Sequence, residues 1–128
     1  MKFLLDTHAL IWATDHPEAL SARAASLISD VTNEVFVSAA SAWEIATKVR
    51  LGKLPEAARL EANFLEIMQR SGYTLLNISV LDALRGGRLP GTHRDPFDRI
   101  LAAQALTLDI PILSLDSKLD AFGIHRIW

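Results

Sequence analysis

The sequence predicts an α/β fold, a three-layer α/β/α sandwich around a central, mainly parallel sheet. Three observations carry that prediction. Short apolar runs, such as Phe3-Leu4-Leu5 and Val35-Phe36-Val37, have the length and composition of strands buried on both faces. Longer segments with apolar residues at helical spacing alternate with them along the chain. Acids recur just beyond the apolar runs, where a parallel sheet presents its ligand-binding edge.

The elements follow in order. Residues 2–5 form a first strand, and residues 7–13 a helix carrying Leu10, Ile11 and Trp12. After the Asp15-His16-Pro17 turn, Ser21 caps a helix running to about Ser29. Residues 34–37 form the second strand. Ser38 or Ser41 then starts a helix that Gly52 stops. Pro55 opens a further helix, with Leu60, Phe64, Leu65 and Met68 at helical spacing. Residues 73–78 form the third strand, and Ser79 caps a short helix over Val80, Leu81 and Leu84. Residues 85–94 read as a basic loop rich in glycine and proline. Asp95-Pro96 restarts the chain as N-cap and N1 of a helix reaching Leu108. Residues 111–115 form the fourth strand, 117–122 a short helix ending at Gly123, and 124–127 the last strand. No repeat, linker or low-complexity segment divides the chain, so residues 1–128 are expected to form one domain.

Composition excludes several classes. The chain has no cysteine, which rules out a disulfide framework and a thiolate zinc site. Its four histidines show no paired metal spacing, Arg85-Gly86-Gly87-Arg88 is not a Walker loop, and no serine stands in a nucleophile elbow. Charge falls too early in Met1-Lys2-Phe3-Leu4-Leu5-Asp6 for a secretory signal, and no apolar stretch reaches the roughly 20 residues of a membrane span. A soluble cytoplasmic protein is expected. The net charge of −2 hides local basic clusters: Lys48, Arg50 and Lys53, then Arg85, Arg88, His93, Arg94 and Arg99. Such patches matter more to a phosphate partner than the overall sign, although solvated surface charge explains them equally well.

Four acids carry the functional reading: Asp6, Glu44, Asp98 and Asp116. Each has a plainer explanation. Asp6 and Asp116 sit where helix N-caps are needed, Asp98 is at N3 where an acid suits the helix dipole, and Glu44 can pair with Lys48 at i+4. Asp95 is sufficiently explained as the cap before Pro96. The combination is stronger than its parts, because the acids recur at one topological end of separate strand–helix units. Converging carboxylates need a cation, and an oxygen-only set suits Mg²⁺ or Mn²⁺ and hence phosphodiester chemistry.

Four stretches carry a resemblance: Leu4-Leu5-Asp6-Thr7-His8, Ser41-Ala42-Trp43-Glu44-Ile45, the run from His93 through Asp95-Pro96-Phe97-Asp98-Arg99 to Ala105, and Leu113-Ser114-Leu115-Asp116. Together they span essentially the whole chain, which resembles the PIN-domain proteins, in particular the VapC-type toxins of bacterial toxin–antitoxin modules. The resemblance implies a Mg²⁺-dependent endoribonuclease, with Mn²⁺ able to substitute. Asp6, Glu44, Asp98 and Asp116 would form its acidic site. Asp6, Asp98 and Asp116 would hold the ion, and Glu44 would ligate it or orient the attacking water. Asp95 belongs to the signature, and Thr7 and Ser114 fall where small hydroxyl residues accompany the acids. Arg99, Arg94 or Lys48 would contact phosphate. The chain departs from the pattern at His8, where many members carry Asn, and at Leu115, where a polar residue is common. The resemblance further implies a homodimer and a small antitoxin whose tail blocks the site. Alternatives are a PIN-type nuclease acting on another nucleic acid, and a catalytically silent PIN-like module that binds protein.

Overall fold

The structure is a computed structural model that describes all 128 residues. Strand β1 (Lys2–Leu5) lies at the centre of the sheet, and its alternation separates the layers. Phe3 and Leu5 join one apolar cluster with Leu10, Ile11, Val37 and Ile45, while Leu4 joins another with Leu101, Ala102, Ile112 and Phe122. All three are fully buried, as period-two geometry demands when helices cover both faces.

The sheet has five strands in the order β3-β2-β1-β4-β5, with β2 Glu34–Ser38, β3 Thr74–Leu76, β4 Ile112–Leu113 and β5 Arg126–Ile127. Every pairing is parallel. Leu4 is in register with Phe36 on one side and Ile112 on the other. Parallel neighbours require crossovers, and the helices supply them: α1 (Thr7–Asp15), α2 (Ala22–Ser29), α3 (Ala39–Arg50), α4 (Ala58–Ala62), α5 (Phe64–Ser71), α6 (Val80–Arg88) and α7 (Pro96–Leu108). α1 and α3 leave directly from the carboxyl ends of β1 and β2. α7 runs back to the start of β4, which puts its first turn at the same edge. No helix is long and apolar enough to cross a membrane.

Several expectations are corrected. Residues 85–88 are not loop; they complete α6, which Ser79 and Asp82 start with a reciprocal capping box. Gly86 is a close-approach glycine: a Cβ there would meet the Arg99 carbonyl oxygen at 3.2 Å and Ile100 Cδ1 at 3.3 Å. A glycine that read as part of a break instead lets α6 lie against α7. The helix expected from Pro55 is a 3-10 turn (Pro55–Ala57) followed by α4 and α5, interrupted at Asn63. There the side-chain amide donates to the Arg59 carbonyl and draws the chain out of helical geometry. Ser38, not Ser41, caps α3. The outer strands are shorter than the apolar runs implied. Of the apolar positions at helical spacing here, Met68 is 1 % exposed in the core, Phe64 packs against it, and Leu65 faces outward.

Candidate active site

Asp6 ends β1 and caps α1. Its Oδ1 accepts the Ala9 N–H at 2.7 Å, and its Oδ2 accepts the hydroxyl of Ser114, which arrives from the end of β4. Cap and site residue are therefore not alternatives here, because the cap position after a central parallel strand is also the sheet's ligand edge. Asp6 is only 7 % exposed. Burial pushes its pKa up to about 6; the Ser114 and Ala9 hydrogen bonds and the His8 charge oppose the rise, and the Asp98 charge adds to it.

Glu44, in the second turn of α3, is 5 % exposed yet fully engaged. Thr7 Oγ1 donates to its Oε1 and lies 3.0 Å from Ser41 Oγ. Lys48 Nζ, one turn further on, pairs with its Oε2. The i+4 ion pair read from the sequence exists, and it is half-buried. Burial opposes the Lys48 charge, but the Glu44 hydrogen bond and charge, followed by Asp95 and Asp98, hold its pKa above the ordinary value.

Asp98 stands in the first turn of α7, with its Oδ2 at 2.8 Å from His93 Nε2. Burial raises its pKa; the His93 hydrogen bond and charge oppose this, while Asp95 and Glu44 repel it further. Asp95 caps α7, accepting the N–H groups of Phe97 at 2.9 Å and Asp98 at 3.2 Å. Asp6, Glu44 and Asp98, from three separate elements, thus lie within one electrostatic neighbourhood.

Asp116 is exposed. Its Oδ1 accepts the Lys118 N–H, its own N–H donates to Ser114 Oγ at 3.0 Å, and it caps the 3-10 turn Ser117–Phe122. One hydroxyl, that of Ser114, therefore links Asp6 to the Asp116 backbone. The two acids border a cavity of about 300 Å³ whose other walls are His8, Trp12 and Leu115, so both departures from the family pattern fall in one place. No three acidic or histidine side chains are gathered closely enough to make a ready-formed cation cage.

Arg99, expected to contact phosphate, turns its guanidinium onto three backbone carbonyls. Its Nε donates to the Gly86 carbonyl at 2.9 Å, Nη1 to His93 at 2.7 Å, and Nη2 to Leu89. Arg94 does face open space: a cleft of about 380 Å³ lined by Thr92, His93, Arg94, Lys118 and Phe122. Ser41, His93 and Lys118 also stand beside these acids; the sequence placed Ser41 and His93 in the resembling stretches without giving them a role, and gave no sign of Lys118. The Glu44–Ser41 spacing on α3 offered a signal for Ser41, whereas the contacts of His93 and Lys118 depend on loop paths that periodicity does not encode.

Fold and geometry define a class: a small parallel α/β/α domain whose central strands and flanking helices deliver acids to one edge. The chain belongs to the PIN domain family, whose model matches residues 3–124. Ribonuclease VapC16 of Mycobacterium tuberculosis is 42 % identical over 53 residues, covering 41 % of this chain and 38 % of that protein, so the likeness spans less than half of that relative. Among solved structures, VapBC2 from Rickettsia felis bound to a promoter DNA fragment matches with a TM-score of 0.70 at 16 % identity, over 99 % of this chain and 98 % of that one. FitAcB from Neisseria gonorrhoeae matches with a TM-score of 0.63 at 18 % identity, over 98 % and 96 %. At such identities these structures establish the fold.

Proposed function

We propose that the chain is a divalent-cation-dependent endoribonuclease, the toxin of a VapBC-type toxin–antitoxin pair. The observation that carries the reading is the Asp6 carboxyl, buried at the end of β1, repelled by Asp98 and sharing a cavity with Asp116. A buried acid whose neighbours are acids is unfavourable unless a cation compensates it. The donors are all oxygen, which fits Mg²⁺ or Mn²⁺. Because Mg²⁺ keeps several waters and takes one or two carboxylates directly, the site needs no tight cage of three. Asp6, Asp98 and Asp116 would hold the ion, directly or through water. When bound, it supplies the charge that activates water and stabilises the leaving oxygen.

The chain's own groups do the rest. Thr7 and Lys48 fix both oxygens of Glu44, which leaves their remaining lone pairs to orient an attacking water. Ser114 holds the Asp6 carboxylate in one rotamer. Asp95 keeps the first turn of α7 in place and so positions Asp98. Arg94 and Lys118 take the substrate phosphates in the cleft beside Asp116.

The ribonuclease name of the Mycobacterium relative and the toxin–antitoxin assemblies among the structural neighbours support an RNA substrate and a small antitoxin partner. A homodimer is part of the reading: Val80 and Leu81 on α6 are 78 % and 77 % exposed and offer apolar surface to a second copy. An RNA target would place the activity in the cytoplasm. The test is cleavage of single-stranded RNA by protein freed of its antitoxin, with Mg²⁺ or Mn²⁺ and with EDTA. Cleavage confined to the metal-containing reactions is expected. Undiminished cleavage in chelator, or cleavage of DNA alone, overturns the proposal.

A further inference from the structure

The cavity bordered by Asp6 and Asp116 has a second character. His8 and Trp12 stand one turn apart on α1 with ring centroids 5.7 Å apart. Trp128 packs on Trp12 at 5.7 Å, and Trp12 is partly buried against the core, so the indole that lines the cavity is held in place. Leu115 forms another wall and is 56 % exposed. Beyond the Asp116–Lys118 turn lies the cleft containing Arg94 and Lys118, so one turn separates an apolar, acid-rimmed cavity from a basic one.

We infer that the Trp12–His8–Leu115 cavity is a base-binding subsite, which takes one unstacked nucleobase of single-stranded RNA beside the bond to be cut. The inference rests on reading the acids as an RNA-cleaving site. A base is flat, neutral and apolar on its faces, and single-stranded RNA is recognised by stacking such faces on aromatic side chains. The phosphate to be cut is drawn to the cation that the acids would hold and its neighbours to Arg94 and Lys118, which leaves the His8, Trp12 and Leu115 walls to a base. The volume of about 300 Å³ is at the lower end for small-ligand sites, enough for one ring system and too small for a helix of a protein partner.

The test uses Asp98→Asn protein, expected to cut at least ~10²-fold more slowly, and short single-stranded RNA in which one nucleotide at a time is made abasic. One abasic position next to the cleavage site is expected to weaken binding by about 5- to 100-fold, the range for one lost base–aromatic stack. Adding Trp12→Leu should weaken binding of intact RNA by a similar factor and abolish the abasic effect. Leu115→Glu, outside the core, should do the same and covers the case in which Trp12→Leu does not fold. An abasic penalty that survives both substitutions overturns the inference. So does insensitivity to abasic positions combined with displacement of RNA by N-acetyltryptophanamide, which would assign the cavity to a partner's side chain. Failure of the underlying reading looks different: wild-type protein would neither bind nor cleave RNA with metal present.

Discussion

Replacing Arg99 by lysine keeps the charge and removes the fork. In the structure the guanidinium donates to three carbonyls, those of Gly86, Leu89 and His93, and so ties the end of α6 and the following loop to α7. A lysine ammonium at that position reaches one of them, leaving two half-buried carbonyls to water. At about 1 kcal/mol for each lost bond, plus part of the loop's ordering, Arg99→Lys is expected to cost about 2–3 kcal/mol. For a domain of this size that lowers the melting temperature by about 10 °C. Because His93 leaves with the loop, its bond to Asp98 loosens and RNA cleavage falls well below the melting range too. Paired urea unfolding and thermal melts measure the first effect, and cleavage at low temperature the second. Unchanged stability with strongly reduced cleavage would refute the fastening role and return Arg99 to the phosphate.

Three further outcomes are expected. In EDTA, wild-type protein should lose about 3 kcal/mol of stability as pH rises from about 4 to about 6, because the Asp6 carboxyl, raised from 3.8 to about 6, keeps its proton more tightly when folded. Asp6→Asn should lack that component at any constant offset, and parallel urea-unfolding curves from pH 4 to pH 7 would refute it. Asp98→Asn should cut RNA cleavage by at least ~10²-fold, as for loss of a preorganised electrostatic group, whereas Asp95→Asn should be milder because asparagine also caps helices. Equal loss in both variants would make Asp95 more than a cap. Gly86→Ala should destabilise by about 1–2 kcal/mol, the gain in helix propensity being outweighed by the Cβ at 3.2 Å from the Arg99 carbonyl oxygen; a raised melting temperature would show that α6 and α7 yield without cost.

What was legible in the sequence was what local pattern encodes. The all-parallel core followed from apolar runs such as Phe3-Leu4-Leu5, whose side chains divide between two clusters. The acids at the strand and helix ends were visible because a cap has a sequence position. Whether a cap also served a site was not, because the answer depends on which strands are neighbours. Asp6 meets Ser114 only because β1 pairs with β4. The misreadings share one physical root. A glycine such as Gly86 signals close approach as readily as chain reversal, and Arg99 signals a solvent-facing charge until three carbonyls are brought to it. The His8–Trp12 half of the cavity was present as an i, i+4 pair; the Leu115 half needed the sheet.

The bond between Ser114 and Asp6 closes a loop of 108 residues. During synthesis Asp6 emerges early and β4 late, and domains assemble as the chain leaves the ribosome from its N-terminus. Until Ile112, Leu113 and Ser114 are free to pair beside β1, Asp6 has no hydroxyl partner, Asp116 has no fixed position, and the sheet lacks one of its central strands. If the acids cut RNA as proposed, that activity waits until β4 has paired beside β1. An acid at position 6 is thereby made to wait for a serine 108 residues further along the chain.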